Sequence, residues 1–149
     1  TREKLLQYTL QQLGGSQPDV EAFVAEFFSR DEEDQELVQL VRSLKPHYKL
    51  ALLSNAFEGT RQWMQERFTF LHLFEISIFS YEVGMRKPDE QIYRLVLDKL
   101  QVEPQQALFV DDFKENIEGA QRLGIQTVWY HSRDVAFSEL RNRLLPSSG

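Results

Sequence analysis

The chain has 149 residues, with 17 Lys and Arg against 23 Asp and Glu, so its formal net charge is -6. It contains no cysteine, which excludes disulfides, thiolate metal sites and a cysteine nucleophile. No basic stripe is available to neutralise nucleic-acid phosphates, and no apolar run approaches the roughly 20 residues of a membrane helix. We therefore expect one globular, cytoplasmic protein that binds neither nucleic acid nor membranes.

The first 45 residues carry apolar side chains at helical spacing. After an opening helix that stops at Gly14-Gly15, a second apolar face recurs at i, i+3, i+4, i+7 and i+8, formed by Val20, Phe23, Val24, Phe27 and Phe28. The acidic run from Asp31 to Asp34 suits the first turn of a third helix, which ends before Pro46. The pattern predicts that residues 1–45 are helical.

After Pro46 the pattern changes to four short apolar runs separated by helical stretches. Their lengths are typical of buried strands, which we place at Lys49–Leu53, Ile76–Phe79, Ala107–Val110 and Thr127–Tyr130. Strands that alternate with helices predict an α/β fold: a Rossmann-like parallel sheet with helices on both faces.

Polar residues follow three of these strands, at the edge where open parallel sheets bind ligands. The first strand is followed by Ser54-Asn55, the second by a loop that carries Lys87, and the third by Asp111-Asp112. A hydroxyl and an ammonium group can bind phosphoryl oxygens, and two adjacent carboxylates suit Mg²⁺. Each feature also has a purely structural interpretation: turn residues, a surface lysine before a helix, and carboxylates that cap the next helix.

In this order and with these separations, Leu53-Ser54-Asn55, Lys87-Pro88-Asp89 and Val110-Asp111-Asp112 resemble motifs II, III and IV of the haloacid dehalogenase-like hydrolases. The segment 84–124 is similar to the branch of sugar-phosphate phosphatases and epoxide hydrolase N-terminal domains. The resemblance implies a partial helical cap over residues 1–45 and an α/β core over 46–149.

The same resemblance assigns roles to the site residues. It implies that Ser54, Asn55 and Lys87 are catalytic and bind the phosphoryl group of a small phosphorylated metabolite. It also implies that Asp111 and Asp112 hold Mg²⁺, with Asp112 as the expected direct ligand. Because the dehalogenase branch lacks this acidic pair, its presence favours phosphate esters over haloacids.

The family's first motif, an apolar strand that ends in Asp-x-Asp and supplies the nucleophile, is absent from the sequence. We therefore expect a core without its first, central strand, a truncated chain, and no phosphatase turnover through an aspartyl-phosphate. The alternative is a degenerate family member that binds phosphate or metal without chemistry. A receiver domain is disfavoured, because there the acidic pair precedes the Lys-Pro.

If the stripe of Phe23, Phe27 and Phe28 is uncovered, we expect self-association.

Overall fold

The computed structural model describes residues 20–25 and 35–145 of the chain. Five strands are present there: β1 Ala22–Ala25, β2 Lys49–Ser54, β3 Ile76–Phe79, β4 Ala107–Asp111 and β5 Gln126–Trp129. The α-helices are α1 Gln35–Leu44, α2 Thr60–Arg67, α3 Ser80–Val83, α4 Glu90–Leu100, α5 Lys114–Arg122 and α6 Arg133–Leu144. Short 3₁₀ turns cover Leu71–Leu73 and Pro104–Gln106. No helix in these residues is both long and apolar enough to cross a membrane.

The strands form one parallel sheet in the order β3-β2-β1-β4-β5. This confirms the predicted α/β, Rossmann-like architecture with flanking helices. All four predicted strands are observed, with ends that differ by at most one residue from the sequence-based bounds.

Strand β1 corrects two expectations from the sequence. The apolar positions Val20, Phe23 and Val24 were predicted on a helix, but Ala22–Ala25 form the central strand, between β2 and β4. The sheet therefore does not lack a central strand. The physical reason is that β2 and β4 would otherwise each leave a row of buried backbone groups without partners, at about 1–3 kcal/mol per group. Phe27 and Phe28 lie outside the described residues.

The sheet buries apolar side chains on both faces, as the alternation of strand residues requires. In β1, Phe23 and Ala25 join a cluster with α1 and α6, whereas Ala22 and Val24 join a second cluster with α4 and α5. β2 and β4 divide their residues between the same two clusters. Every residue of β1 is buried, which explains why it is apolar throughout.

Helix α1 was expected in the cap, yet its apolar face packs with the sheet, in the same cluster as Phe23 and Leu52. Its N-terminal Glu36 accepts hydrogen bonds from Arg141 and Arg133 of α6, both at 3.0 Å. The hydrogen bond from Arg141, followed by that from Arg133, lowers the pKa of Glu36 below its usual value. Residues 1–19 and 26–34 lie outside the described residues, so the division into a cap over 1–45 and a core over 46–149 stays a prediction.

An arginine bonds to a strand carbonyl on each outer strand. On β3, Arg61 Nη2 donates to the Ser77 carbonyl at 2.7 Å and also pairs with Glu82. On β5, Arg143 Nη1 donates to the Thr127 carbonyl at 3.0 Å. Each guanidinium thus occupies an acceptor that a further strand would use.

Candidate active site

The predicted site residues lie at the end of, or after, β2, β3 and β4, at the carboxyl edge of the sheet. Ala25, the last residue of β1, pairs with Leu52 of β2 and with Val110 of β4. Ser54 lies two residues after Leu52 on β2, and Asp111 directly follows Val110 on β4. The ends of β2 and β4 therefore flank the end of β1, and this arrangement brings together residues that are 57 positions apart in the sequence.

Lys87 is the centre of the site. Its side chain is fully buried, and Nζ donates to the Leu53 carbonyl at 3.0 Å and to Asp111 Oδ2 at 2.7 Å. Nζ also lies 5.5 Å from the centre of the Phe109 ring. Because Leu53 belongs to β2 and Asp111 to β4, the ammonium group spans the gap at the end of β1. A buried cation is stable only with such compensation.

The carboxylate of Asp111 is also fully buried and fully engaged. Its Oδ1 accepts the backbone N–H of Phe113 at 2.8 Å, and its Oδ2 accepts both Lys87 Nζ and the amide of Asn116 at 3.2 Å. Asn116 is itself buried, and its carbonyl accepts the hydroxyl of Tyr93 at 2.7 Å. The network fixes the orientation of the Asp111–Lys87 pair.

Asn55 holds the backbone of Lys87 in place. Its Nδ2 donates to the Lys87 carbonyl at 3.0 Å, and its Oδ1 accepts the Lys87 N–H at 2.9 Å. The Lys87–Pro88 peptide bond is cis. Both ends of the Asn55 amide thus bond to the loop that carries the lysine, which gives this predicted binding residue a clear positioning contact.

Gly119 allows α5 to approach this loop closely. A Cβ atom at Gly119 would lie 2.9 Å from Pro88 Cβ, 3.0 Å from the Pro88 carbonyl oxygen and 3.1 Å from the Tyr93 hydroxyl. Only a residue without a side chain fits there unless its neighbours move.

Asp112 lies at the exposed rim of the site, next to buried Asp111. Its carbonyl accepts the indole N–H of Trp129 at 3.0 Å. Ser54, at the end of β2, is 9% exposed, so the described residues cover almost all of its surface. A cavity of about 630 Å³ lies elsewhere, against β3, and is lined by residues that include Arg61, His72 and Ser77 but none of the predicted site residues.

The donor set fits magnesium only in part. Mg²⁺ is typically held by one or two carboxylates, with water and substrate phosphate as the remaining ligands. Asp111 is buried and already bonds to Lys87, Asn116 and Phe113. Asp112 is the exposed carboxylate of the pair. Within residues 20–25 and 35–145, no group of three or more His, Asp or Glu side chains comes together as a metal site.

The structure thus gathers Asn55, Lys87 and Asp111 into one bonded cluster and places Ser54 and Asp112 at the ends of the same two strands. Sequence reasoning missed Asn116 and Gly119. The signal for Asn116 was its position in the first turn of the helix that follows Asp111-Asp112, from which its amide reaches back to the Asp111 carboxylate. Nothing in the sequence alone distinguishes Gly119 from any other helical glycine.

Comparisons with known proteins identify the sequences that this chain resembles. A family model described as haloacid dehalogenase-like hydrolase matches residues 2–124. The bifunctional epoxide hydrolase 2 of Sus scrofa is 42% identical over 67 residues, which cover 45% of this chain and 12% of that protein. The phosphoserine phosphatase of Thermus thermophilus is 28% identical over 134 residues, which cover 86% of this chain and 53% of that protein.

Solved structures share the fold. An uncharacterised protein from Corynebacterium glutamicum superposes with a TM-score of 0.67 at 21% identity, over 87% of this chain and 97% of the other. A HAD family enzyme from Bacteroides thetaiotaomicron, in complex with magnesium and inorganic phosphate, gives a TM-score of 0.60 at 29% identity, over 64% of this chain and 52% of the other. This chain spans 12% of the epoxide hydrolase and about half of the phosphatase named above.

Proposed function

The chain belongs to the haloacid dehalogenase-like hydrolase family, and from that premise we propose that its site binds the phosphoryl group of a small phosphate monoester with the help of Mg²⁺. The observation that carries the proposal is the buried Lys87 ammonium group, held between Leu53 and Asp111 at the carboxyl edge of the sheet. A fixed cation, a hydroxyl and an acidic pair are groups that can bind a phosphoryl group and a magnesium ion, which supports the proposal.

The relatives support a phosphate ester as the ligand. Besides the phosphoserine phosphatase, a protein described as a phosphorylated carbohydrates phosphatase from Thermotoga maritima is 30% identical over 95 residues, which cover 64% of this chain and 43% of that protein. The Bacteroides structure contains magnesium together with inorganic phosphate.

Each residue has a distinct task in this proposal. The Ser54 hydroxyl donates to a phosphoryl oxygen, and Lys87 provides the positive charge that a phosphoryl group needs on that side. Asp111 positions Lys87, and Asn55 fixes the loop that carries it. Asp112 would be the direct magnesium ligand, and the bound ion would neutralise phosphoryl charge as a Lewis acid.

We expect these 149 residues to bind phosphate without hydrolysing a phosphate ester. No Asp-x-Asp occurs in the sequence, and β1, whose end lies between the site strands, reads Ala-Phe-Val-Ala. We propose that the purified chain binds phosphate and forms no aspartyl-phosphate. The second candidate, a family member that has lost catalysis and only binds phosphate or metal, rests on the same missing motif.

Isothermal titration of inorganic phosphate in the presence of Mg²⁺ tests the binding site. We expect Ser54→Ala to weaken phosphate binding by about ten-fold or more, because hydrogen bonds to charged groups contribute about 1.5–3 kcal/mol. Asp112→Asn should remove the dependence of phosphate binding on Mg²⁺. Ser138→Ala and Asp98→Asn, exposed positions on α6 and α4, serve as matched controls.

Two outcomes would contradict the proposal. Phosphate binding that is absent, or that Ser54→Ala and Asp112→Asn leave unchanged, would show that this edge of the sheet is not the phosphate site. Mg²⁺-dependent hydrolysis of an aryl phosphate by the purified chain would contradict the statement about turnover.

A further inference from the structure

Three side chains form a rim beside Asp112 that the proposed phosphate site does not use. Trp129, at the end of β5, donates its indole N–H to the Asp112 carbonyl at 3.0 Å. The centre of the His131 ring lies 4.4 Å from the centre of the Trp129 ring. Lys114 Nζ, from the first residue of α5, lies 5.7 Å from the Trp129 ring centre. One indole ring therefore connects two basic side chains to the expected magnesium ligand.

The Lys114 charge faces the Trp129 ring and has no carboxylate partner within the described part of the chain. No carboxylate there comes within ion-pair distance of Lys114 or His131, and both side chains are exposed. Most of the arginines around the fold differ in this respect, since Arg61, Arg94, Arg133, Arg141 and Arg143 each pair with a glutamate. In a chain of net charge -6, this rim therefore carries a cation that no carboxylate of the described residues neutralises.

Trp129 makes the rim a fixed surface rather than a set of independent side chains. It is 38% exposed, and its N–H is used by Asp112. His131 Nδ1 lies 3.2 Å from the Trp129 carbonyl oxygen, which fixes the imidazole against the indole. Adjacent strands lie about 4.8 Å apart, so the rim on β5 lies roughly one strand spacing from the end of β4.

We propose that Lys114, His131 and Trp129 form a second anion subsite, which binds a carboxylate or a second phosphate on the leaving group of the substrate. The proposal rests on the proposed phosphate site and narrows its substrate class to small phosphate monoesters that carry a second anionic group. Lys114 supplies the charge, and the indole and imidazole rings form the wall against which the linking atoms pack.

Trp129 provides a direct reporter for this subsite. The sequence contains two tryptophans, and Trp63→Phe leaves Trp129 as the single tryptophan, whose emission is excited selectively at wavelengths that tyrosine no longer absorbs. In that background, Mg²⁺ and either 2-phosphoglycolate or ethyl phosphate are titrated while Trp129 fluorescence is measured. The two ligands share a phosphate monoester and a two-carbon body, and they differ in the carboxylate. A bisphosphate of ethylene glycol distinguishes a carboxylate from a second phosphate.

We expect 2-phosphoglycolate to bind several-fold more tightly than ethyl phosphate. Lys114→Gln should reduce that preference by about two- to five-fold, the size typical of an exposed ion pair, and leave ethyl phosphate binding unchanged. His131→Gln should reduce the fluorescence response to the carboxylate. Arg122→Gln is the matched control: it removes one charge from the same helix, about 12 Å away at 1.5 Å per residue, and should change neither affinity.

The outcomes separate the two proposals. Equal affinity for both ligands in the Trp63→Phe chain, or a preference that Lys114→Gln leaves intact, would overturn the anion subsite while the phosphate site stands. If neither ligand binds, the phosphate site is wrong, and the subsite that rests on it is wrong as well. Tighter binding of the bisphosphate than of 2-phosphoglycolate would assign the subsite to a second phosphate.

Discussion

Replacing Lys87 with methionine should destabilise the fold far more than a surface substitution. Methionine keeps an unbranched side chain of similar length but removes the ammonium group that Asp111 contacts at 2.7 Å. Both side chains of the pair are fully buried, so Asp111 would be left as a buried charge with only the Phe113 N–H and the Asn116 amide as partners. Removing one partner of a buried pair typically costs about 3–5 kcal/mol.

That cost is a large share of the stability of a domain, which is typically about 5–15 kcal/mol. For a chain of this size, each kcal/mol lowers Tm by about 2–4 °C, so we expect a decrease of about 6–20 °C. Urea unfolding followed by circular dichroism measures the free energy of unfolding. Lys99→Met, an exposed lysine on α4, is the matched control and should change that free energy by less than about 0.5 kcal/mol.

The double variant Lys87→Met/Asp111→Asn distinguishes a lost charge pair from lost packing. Because it removes the uncompensated carboxylate as well, it should recover a substantial part of the stability that Lys87→Met loses. A loss below about 1 kcal/mol for Lys87→Met, or a double variant that loses the sum of both single changes, would refute this reasoning.

Three further changes test the packing and the electrostatics of the fold. Gly119→Ala should lower the free energy of unfolding by about 1–3 kcal/mol in urea, because its Cβ would lie 2.9 Å from Pro88 Cβ. Tyr48→Phe should cost about 1 kcal/mol in the same assay, because the buried Tyr48 hydroxyl donates to the Leu144 carbonyl at 2.9 Å; no loss would exclude that bond. Since the pKa of Glu36 is lowered in the folded state, its contribution to stability is present above the unfolded value, near 4.5, and is lost as the pH falls through the folded value. Glu36→Gln should therefore lower Tm at pH 7, and this difference should shrink towards pH 3; a constant difference would contradict the assignment. Phe23, one of three residues of the stripe on which self-association was expected, is buried in the sheet, so that expectation now rests on Phe27 and Phe28 alone. Light scattering over a range of concentrations tests it, and a monomer at high concentration would contradict it.

Four strands could be predicted from the sequence because each is a short apolar run followed by polar residues at the edge of the sheet. Strand β1 could not, because Val20, Phe23 and Val24 have the spacing of a helical face, and periodicity alone does not distinguish a buried strand of four residues from part of a helix. What decides its conformation is the slot between β2 and β4, a tertiary feature that offers hydrogen-bond partners on both sides.

The site shows the same division. The sequence positions of Lys87 and Asp111, each after a predicted strand, were enough to place both residues at one edge of the sheet, because parallel strands bring their carboxyl ends together. The contacts within the site could not be predicted: that Asn55 bonds the backbone of Lys87 and that Asn116 reaches Asp111 depend on loop conformation. Side-chain amides give no distinctive sequence signal, since they are equally common as turn and surface residues.

The arginines on the outer strands have a consequence for how this molecule meets its neighbours. The edge strand of a sheet has unpaired backbone N–H and C=O groups, to which a strand of another chain can bond. Here an incoming segment would first have to displace Arg61 from Ser77 on one margin, or Arg143 from Thr127 on the other. Both guanidinium groups also have glutamate partners, Glu82 and Glu139, which help to hold them in place. At each margin, these contacts therefore oppose the addition of a further strand at the carbonyl that the guanidinium group occupies.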